Sequence, residues 1–465
     1  MSSASDNSGA AVGSFKRHDS KSNPESHVIT IKEIIDGSKK TKSKSAAVIQ
    51  KVPEELRKLK ESAYTPRFVS IGPLHSNNDH LKKRMQNIKM SYVNDLFGRM
   101  AEFGKEEKAQ VLKRCQDEMR KLTGEARKYY AENGDLLTED MLAIDGCFVL
   151  ELLYRKRKYE TTKNPHGDDP IYGSGLLRDG VQIDLLLVEN QLPFFVLEKL
   201  FVFTEKARSN PYLEFGFNSI QDYVLSYFHN VMLLDQDEEF KPSGRSESTA
   251  KKRSFHHILH LLHEHFIPQN SNKEQGGKIV FMKTAQDLDF AGVKFVPRPR
   301  NYPFQVDFKE PKGFRYLFHR ASFEIPTLNV DNSTEPVLRN LIAFEQCTPH
   351  APSFVTSYAY LMDRLVSTAK DVKVLIEAEV LVNYLAADEE VSDLFNKLCK
   401  EVVLGDFYFA ETCQKAADYS KLGWPEFIGY MRRNYFAKPW MFTAFLVAFL
   451  VFGMTVGTFI RNLLR

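Results

Sequence analysis

Residues 184–201 read DLLLVENQLPFFVLEKLF, two apolar runs separated by Glu189, Asn190 and Gln191. The runs predict helices over 183–188 and 194–203, with Pro193 near the first-turn position of the second, where its missing N–H is no loss. Three hydrogen-bonding side chains this deep in apolar sequence need partners, because an unpaired buried polar group costs about 1–3 kcal/mol. Asp145, in Ile144-Asp145-Gly146-Cys147-Phe148, raises the same question. Two readings follow. In the favoured one these groups cap and link helix ends across a core. In the other, Asp145 and Glu189, with Glu151, form a carboxylate site for acid/base chemistry.

Outward from this stretch the signal stays mostly helical. Residues 81–100 and 105–130 show helical spacing with charge on the outer face. Met141, Ile144, Phe148 and Leu152 make a buried stripe along 141–154, and Arg155, Lys156, Arg157 and Lys158 follow where cations suit a helix C-terminus. A different texture occupies 292–330, where Val293-Lys294-Phe295-Val296, Phe304-Gln305-Val306-Asp307-Phe308 and Ala321-Ser322-Phe323-Glu324-Ile325 alternate. Their aromatic and β-branched content predicts a small antiparallel β patch. Helical period returns over 335–345, 354–369, 371–384 and 391–403. The expected fold class is mainly α, a helical soluble domain over 46–435 with that β patch. Exposed loops are expected at 236–253 and 268–278, and a disordered polar, basic leader at 1–45.

Residues 441–460 read MFTAFLVAFLVFGMTVGTFI, without a charge. At about 1.5 Å per residue this run spans roughly 30 Å, the hydrocarbon thickness of a bilayer. Eleven of its residues are Leu, Ile, Val or Phe, which favour insertion by roughly 3–7 kcal/mol as an upper bound. Arg432, Arg433 and Lys438 precede it and Arg461 and Arg465 follow; Tyr435 and Trp440 stand where interfacial aromatics sit. A single-pass transmembrane helix is expected. The first thirty residues lack the continuous apolar stretch of about 7–15 residues that a secretory signal needs. With only residues 461–465 beyond the run, a tail-anchored protein with a cytosolic body is expected. Asn332-Ser333-Thr334 is a glycosylation sequon that tests this side of the membrane. Gly453 and Gly457 form G-x-x-x-G, which lets two helix backbones approach and makes a homodimer a candidate.

The chain has 465 residues, and its 63 basic against 60 acidic residues give a net charge of +3, so whole-molecule polyanion binding is not implied. Five cysteines (Cys115, Cys147, Cys347, Cys399, Cys413) are far apart with no C-x-x-C pair. A disulfide framework or zinc ribbon is not expected, and a reducing compartment suits the set. His256, His260 and His263 in SFHHILHLLHEHF fall on one helical face, a spacing a metal could use. Ile267, however, stands where a zincin pattern needs a second histidine, so a helix with histidines along the face beside a loop is the better reading. Phosphate-cradling, nucleophile-elbow, kinase and nucleic-acid motifs are missing. No catalytic, cofactor-binding or metal-binding residue is therefore assigned.

Several segments in order resemble a known family. They are Tyr64 to His75 (YTPRFVSIGPLH), Met141 to Leu153 (MLAIDGCFVLELL), residues 184–201, Ala291 to Phe295 and Arg339 to Gln346 (RNLIAFEQ). Ser357-Tyr358, Met362-Asp363, Tyr435-Phe436 and Pro439-Trp440 complete the set. Together they resemble the plant domain of unknown function 247, also called uncharacterised protein family 0481, over roughly 45–460. Leu74 departs from the Gly-Pro-Tyr-His common in that family, and no Gln follows the apolar run. The resemblance implies a mostly helical domain ending in a transmembrane helix, with no established catalytic residues. Some grass members are associated with self-incompatibility recognition. The expected function is a membrane-anchored interaction or recognition component with an unknown protein partner; the alternative is an enzyme with a carboxylate site at Asp145 and Glu189.

Overall fold

The computed structural model describes residues 47–105, 107–162, 169–205, 217, 219–231, 254–268, 277–298, 304–311, 320–422, 427 and 439–464. The leader at 1–45, the loop at 236–253 and most of the loop at 268–278 lie outside the described residues, as do Arg432, Arg433, Tyr435 and Lys438.

A short helix α1 (Glu54–Leu59) precedes three long ones, α2 (Asp79–Gly104), α3 (Lys108–Ala126) and α4 (Glu139–Thr162), which pack on one another. The Asn78 side chain caps α2 by accepting from the N–H groups of His80 and Leu81. Lys105, left-handed at φ 52°, ends α2, so the helix expected from 105 starts three residues later. The cations at 155–158 do not end α4. Arg155 pairs with Glu151 one turn back, and Lys156 and Arg157 face Glu160 at 3.5 and 3.6 Å, so the charges support a helix that continues to Thr162.

Helix α5 (Gly175–Asp184), capped by the Ser174 hydroxyl, stops where a helix was expected to begin. Residues 185–193 are irregular because side-chain amides take the carbonyls a continuing helix would use. Asn190 Nδ2 donates to Asp184 O, and Gln191 Nε2 donates to Leu185 O and Leu187 O. Helix α6 (Phe194–Glu205) follows Pro193 as its spacing predicts, and α7 (Ile220–Phe228) and α8 (Ile258–Phe266) come next.

After α9 (Ala285–Phe290) come β1 (Lys294–Arg298), β2 (Asp307–Lys309) and β3 (Ser322–Pro326), in sheet order β1-β3-β2. The patch is mixed rather than wholly antiparallel: β2 opposes β3, but β1 runs parallel to it. The stretch between β1 and β3 is long enough for the crossover that parallel pairing needs. Phe295, Phe323 and Phe308 share one rung across the sheet. Strand β4 (Leu328–Val330) leads into α10 (Thr334–Cys347), α11 (Phe354–Leu365) and α12 (Ala369–Glu377). Left-handed Glu379 (φ 58°) ends the helical course expected to reach 384, and β5 (Leu381–Asn383) pairs in parallel with β4. Helices α13 (Asp388–Leu398) and α14 (Ala410–Tyr419) complete the body, whose buried apolar side chains form one cluster from Ile49 to Tyr419. Beyond it, α15 (Pro439–Leu463) carries the apolar run, and no part of its apolar window is buried.

Candidate functional site

Residues 47–75 hold little regular structure beyond α1, yet Ile49, Tyr64, Val69 and Ile71 are buried. An irregular buried chain must find partners for its N–H and C=O groups, since strands and helices do not supply them. Here side chains of the helical body supply them. Asp184 accepts from the N–H groups of Arg67, Phe68 and Val69 at 2.7–2.9 Å. Asn190 accepts from Ile71 N at 2.6 Å and donates to Val69 O at 2.9 Å. Asp145 accepts from Gly72 N at 2.9 Å and pairs with Lys89, whose ammonium also donates to Ser70 O. Glu189 accepts from Val52 N at 2.6 Å and pairs with Arg57. Asn340 donates to Ala63 O at 2.7 Å and accepts from Val188 N at 2.9 Å. The segment is thus a strap clasped along its length.

Gly72 is required at the strap's sharpest point. Its φ is +70°, and an added Cβ would meet Gln191 O and the Tyr130 hydroxyl, each at 2.9 Å. That hydroxyl donates to Gln191 O at 2.8 Å. Gly180 lets α5 approach the strap: a Cβ there would fall 2.0 Å from the Phe68 ring.

The carboxylates differ in their electrostatics. Burial works against ionisation of Glu189, but His75, the Val52 N–H and Arg57 outweigh it and hold the carboxyl below its ordinary range. His75 Nε2 lies 3.0 Å from Glu189 Oε2. Asp184 has three backbone donors and, among the described residues, no ion pair; burial outweighs those donors and the nearby Arg67 charge and pushes it up to about 6.

The residues singled out in the sequence therefore separate. Asp145 and Glu189 bind the same strap, each neutralised by its own cation. Glu151 belongs to a different cluster between α2 and α4, where it pairs with Arg99 and Arg155. Arg155 also reaches Asp95 and Asp169 and lies 3.8 Å over the Tyr92 ring. A general base needs a lone pair turned toward a substrate; these buried carboxylates spend theirs on the strap and on neighbouring cations. What the arrangement does chemically is capture backbone.

Of the histidines in and before α8, His256, His257, His260 and His263 pack inward while His265 is exposed. His257 and His263 are fully buried, and His256, His257, His260 and His263 lie against or beside Phe344 of α10. Burial lowers the pKa of His256, His257 and His260, the last to about 3, so these rings are neutral. His263 Nε2 meets Glu345 at 2.7 Å, while Glu345 accepts from Val355 N and Thr356 N at the start of α11. Among the described residues no His, Cys, Asp or Glu group has the arrangement of a metal site.

Sequence reasoning flagged Asp145 and the 189–191 triplet but missed Asp184, Asn340, Glu345 and Lys89. The first three carry the same signal, a polar residue inside an apolar run; Lys89 sits on an amphipathic helix and carries none.

A helical body closed by a buried strap, followed by an apolar helix, is the class of protein the fold defines. The family model described as "Plant protein of unknown function", domain of unknown function 247, matches residues 49–454, and the chain belongs to that family. The chain is 26% identical over 443 residues to the UPF0481 protein At3g47200 of Arabidopsis thaliana, covering 89% of this chain and 85% of that one. It is 24% identical over 501 residues to the putative UPF0481 protein At3g02645 of the same plant, covering 88% and 90%. No solved structure matches.

Proposed function

We propose that the chain is a membrane-anchored interaction protein whose helical body presents a surface to a protein partner, in recognition or signalling. The observation that carries this reading is α15. Its apolar side chains are exposed all round, Phe452 and Met454 by two-thirds, so it behaves neither as a core helix nor as an amphipathic one. A helix apolar on every side needs an apolar surrounding. The family match also runs into this helix, ending at 454. A cytosolic side for the body is supported by five free cysteines. Gly453 and Gly457, one turn apart with open space at each Cβ position, would suit pairing of two copies in the bilayer. The carboxylate-enzyme reading has less support, because Asp145 and Glu189 are buried and already partnered.

Carbonate extraction of membranes tests the anchor: the full chain stays in the pellet, and release into the supernatant sinks the reading. Asn332 is exposed, so its glycosylation state reports the side of the body; a glycan there refutes a cytosolic body. Proximity labelling from the N-terminus tests the interaction role. A small reproducible partner set is expected, and background alone counts against it.

A further inference from the structure

The segment from Gly277 to Lys283 runs extended over the body between two pins. Gly277 and Phe407 exchange both backbone hydrogen bonds, at 3.1 and 3.3 Å, and Lys283 Nζ donates to Ser420 O at 3.3 Å. Between the pins the side chains alternate as an extended chain requires. Val280 and Met282 pack on the core, whereas Ile279 and Phe281 face outward, 42% and 84% exposed. A half-buried edge facing water normally turns polar residues outward. This one is apolar on both faces, with exposed Lys278 and Lys283 at its ends and the Arg364 guanidinium 5.5 Å over the Phe281 ring.

An outward aromatic and an outward aliphatic bracketed by cations match a surface whose apolar layer begins just beneath anionic groups. Lysine stems lie along such a surface while their ammonium groups reach the headgroups. The second pin places this edge beside the C-terminal end of α14, which Ser420 closes and which is the last element of the body before the anchor in sequence. Leu422, next to that pin, is itself an exposed apolar residue. We infer that the 278–283 edge is a lipid-contacting patch, with Ile279 and Phe281 in the headgroup boundary of an anionic bilayer and Lys278 on its phosphates, while Lys283 holds the edge to Ser420. This rests on the membrane reading of α15 and deepens it by giving the body a fixed face toward the bilayer.

The test uses the full chain in phosphatidylcholine–phosphatidylserine vesicles carrying bromine at shallow acyl positions, which quenches nearby tryptophan. One variant keeps Trp440 and carries Trp424→Phe, reporting the anchor. A second carries Trp424→Phe, Trp440→Phe and Phe281→Trp, reporting the patch. Quenching of both by at least half is expected, with the patch signal falling at least twofold on adding Lys278→Glu, which leaves the Lys283–Ser420 pin in place. If the Trp440 reporter is quenched and the Phe281→Trp reporter is not, the patch inference is overturned while the anchor stands. If neither is quenched, both fall. A Phe281→Trp emission that shifts with protein concentration rather than with lipid also overturns it, in favour of contact between copies.

Discussion

Asn190→Ala isolates the clasp at its centre. Asn190 holds three backbone groups at once: it accepts from Ile71 N at 2.6 Å and donates to Val69 O at 2.9 Å and to Asp184 O at 2.8 Å. All lie in the buried interior. Alanine leaves Ile71 N and Val69 O without partners, while Asp184 O keeps the Leu187 N–H at 3.4 Å, and the neighbouring strap cannot swing out to water without also leaving Asp184 and Asp145. Each orphaned group costs about 1–3 kcal/mol. Two of them cost about 2–6 kcal/mol, and partial relaxation holds the total near 3–5 kcal/mol.

With an unfolding entropy of about 2 cal/mol/K per residue over about 400 residues, 1 kcal/mol moves Tm by about 1.2 °C, so the variant melts about 4–6 °C lower. Urea unfolding of the full chain in mild detergent gives the free energy directly, with an unchanged slope showing that the same surface is exposed. Gln414→Ala, which removes an exposed bond to Asp418, serves as the control and changes stability by less than about 0.5 kcal/mol. A loss under about 1 kcal/mol for Asn190→Ala would falsify the view that the strap depends on these bonds.

The two carboxylates predict opposite pH behaviour. Glu189 is held below its ordinary range, so its contribution is present above about pH 4.5 and lost as pH falls through its folded value; Glu189→Gln costs about 3–5 kcal/mol at pH 7 by stranding Arg57, and its unfolding curve converges with the wild type in acid. Asp184 is raised from 3.8 to about 6, so its contribution is full below pH 3.8 and lost as pH rises through 6; Asp184→Asn removes a decline of about 3 kcal/mol from a stability titration between pH 4 and 7. Gly180→Ala drives a Cβ into the Phe68 ring and destabilises by at least about 1–3 kcal/mol, whereas Gly124→Ala in α3, with open space around it, stabilises by about 0.5–1 kcal/mol; paired melting curves separate the two signs. Glu379→Gly relieves a left-handed side chain at the end of α12 and stabilises by up to about 1 kcal/mol, read from the same measurement.

The fold class and the central polar question were legible in sequence because both rest on local pattern. Apolar residues at helical spacing announce α4, α6 and α8, and a Glu-Asn-Gln triplet inside leucines announces a demand for partners. The partners themselves were not legible. They are mostly backbone N–H groups of residues 52–72, and every non-proline residue has one, so no side-chain signal marks them. His263 and Glu345 meet from helices far apart in sequence, and neither local stretch hints at the other. The early end of α5 went unseen for a related reason: residues 185–188 are helix-permissive by composition, and amides four to six positions ahead take the carbonyls a helix would use. Parallel pairing of β1 with β3 depends on the route of the intervening chain, on which alternation is silent.

The segments that carry the family resemblance converge in the structure. Tyr64 to His75 is the second half of the strap; Asp145, Asp184, Glu189, Asn190 and Asn340, drawn from three other resembling segments, are clasps along the whole of it. In this chain the resembling segments thereby close the fold. The surfaces that would meet a partner or a bilayer lie elsewhere: the 278–283 edge falls outside every resembling segment, and α15 joins them only at its first residues. Stability and function should accordingly separate by mutation. Substitutions in the strap and clasp lower both together through lost stability, while Ile279→Ser with Phe281→Ser leaves the melting curve within about 0.5 kcal/mol of wild type, the range for surface positions. Were those outward substitutions to destabilise the body as Asn190→Ala does, the edge would be part of the core and the division between closure and surface would be lost.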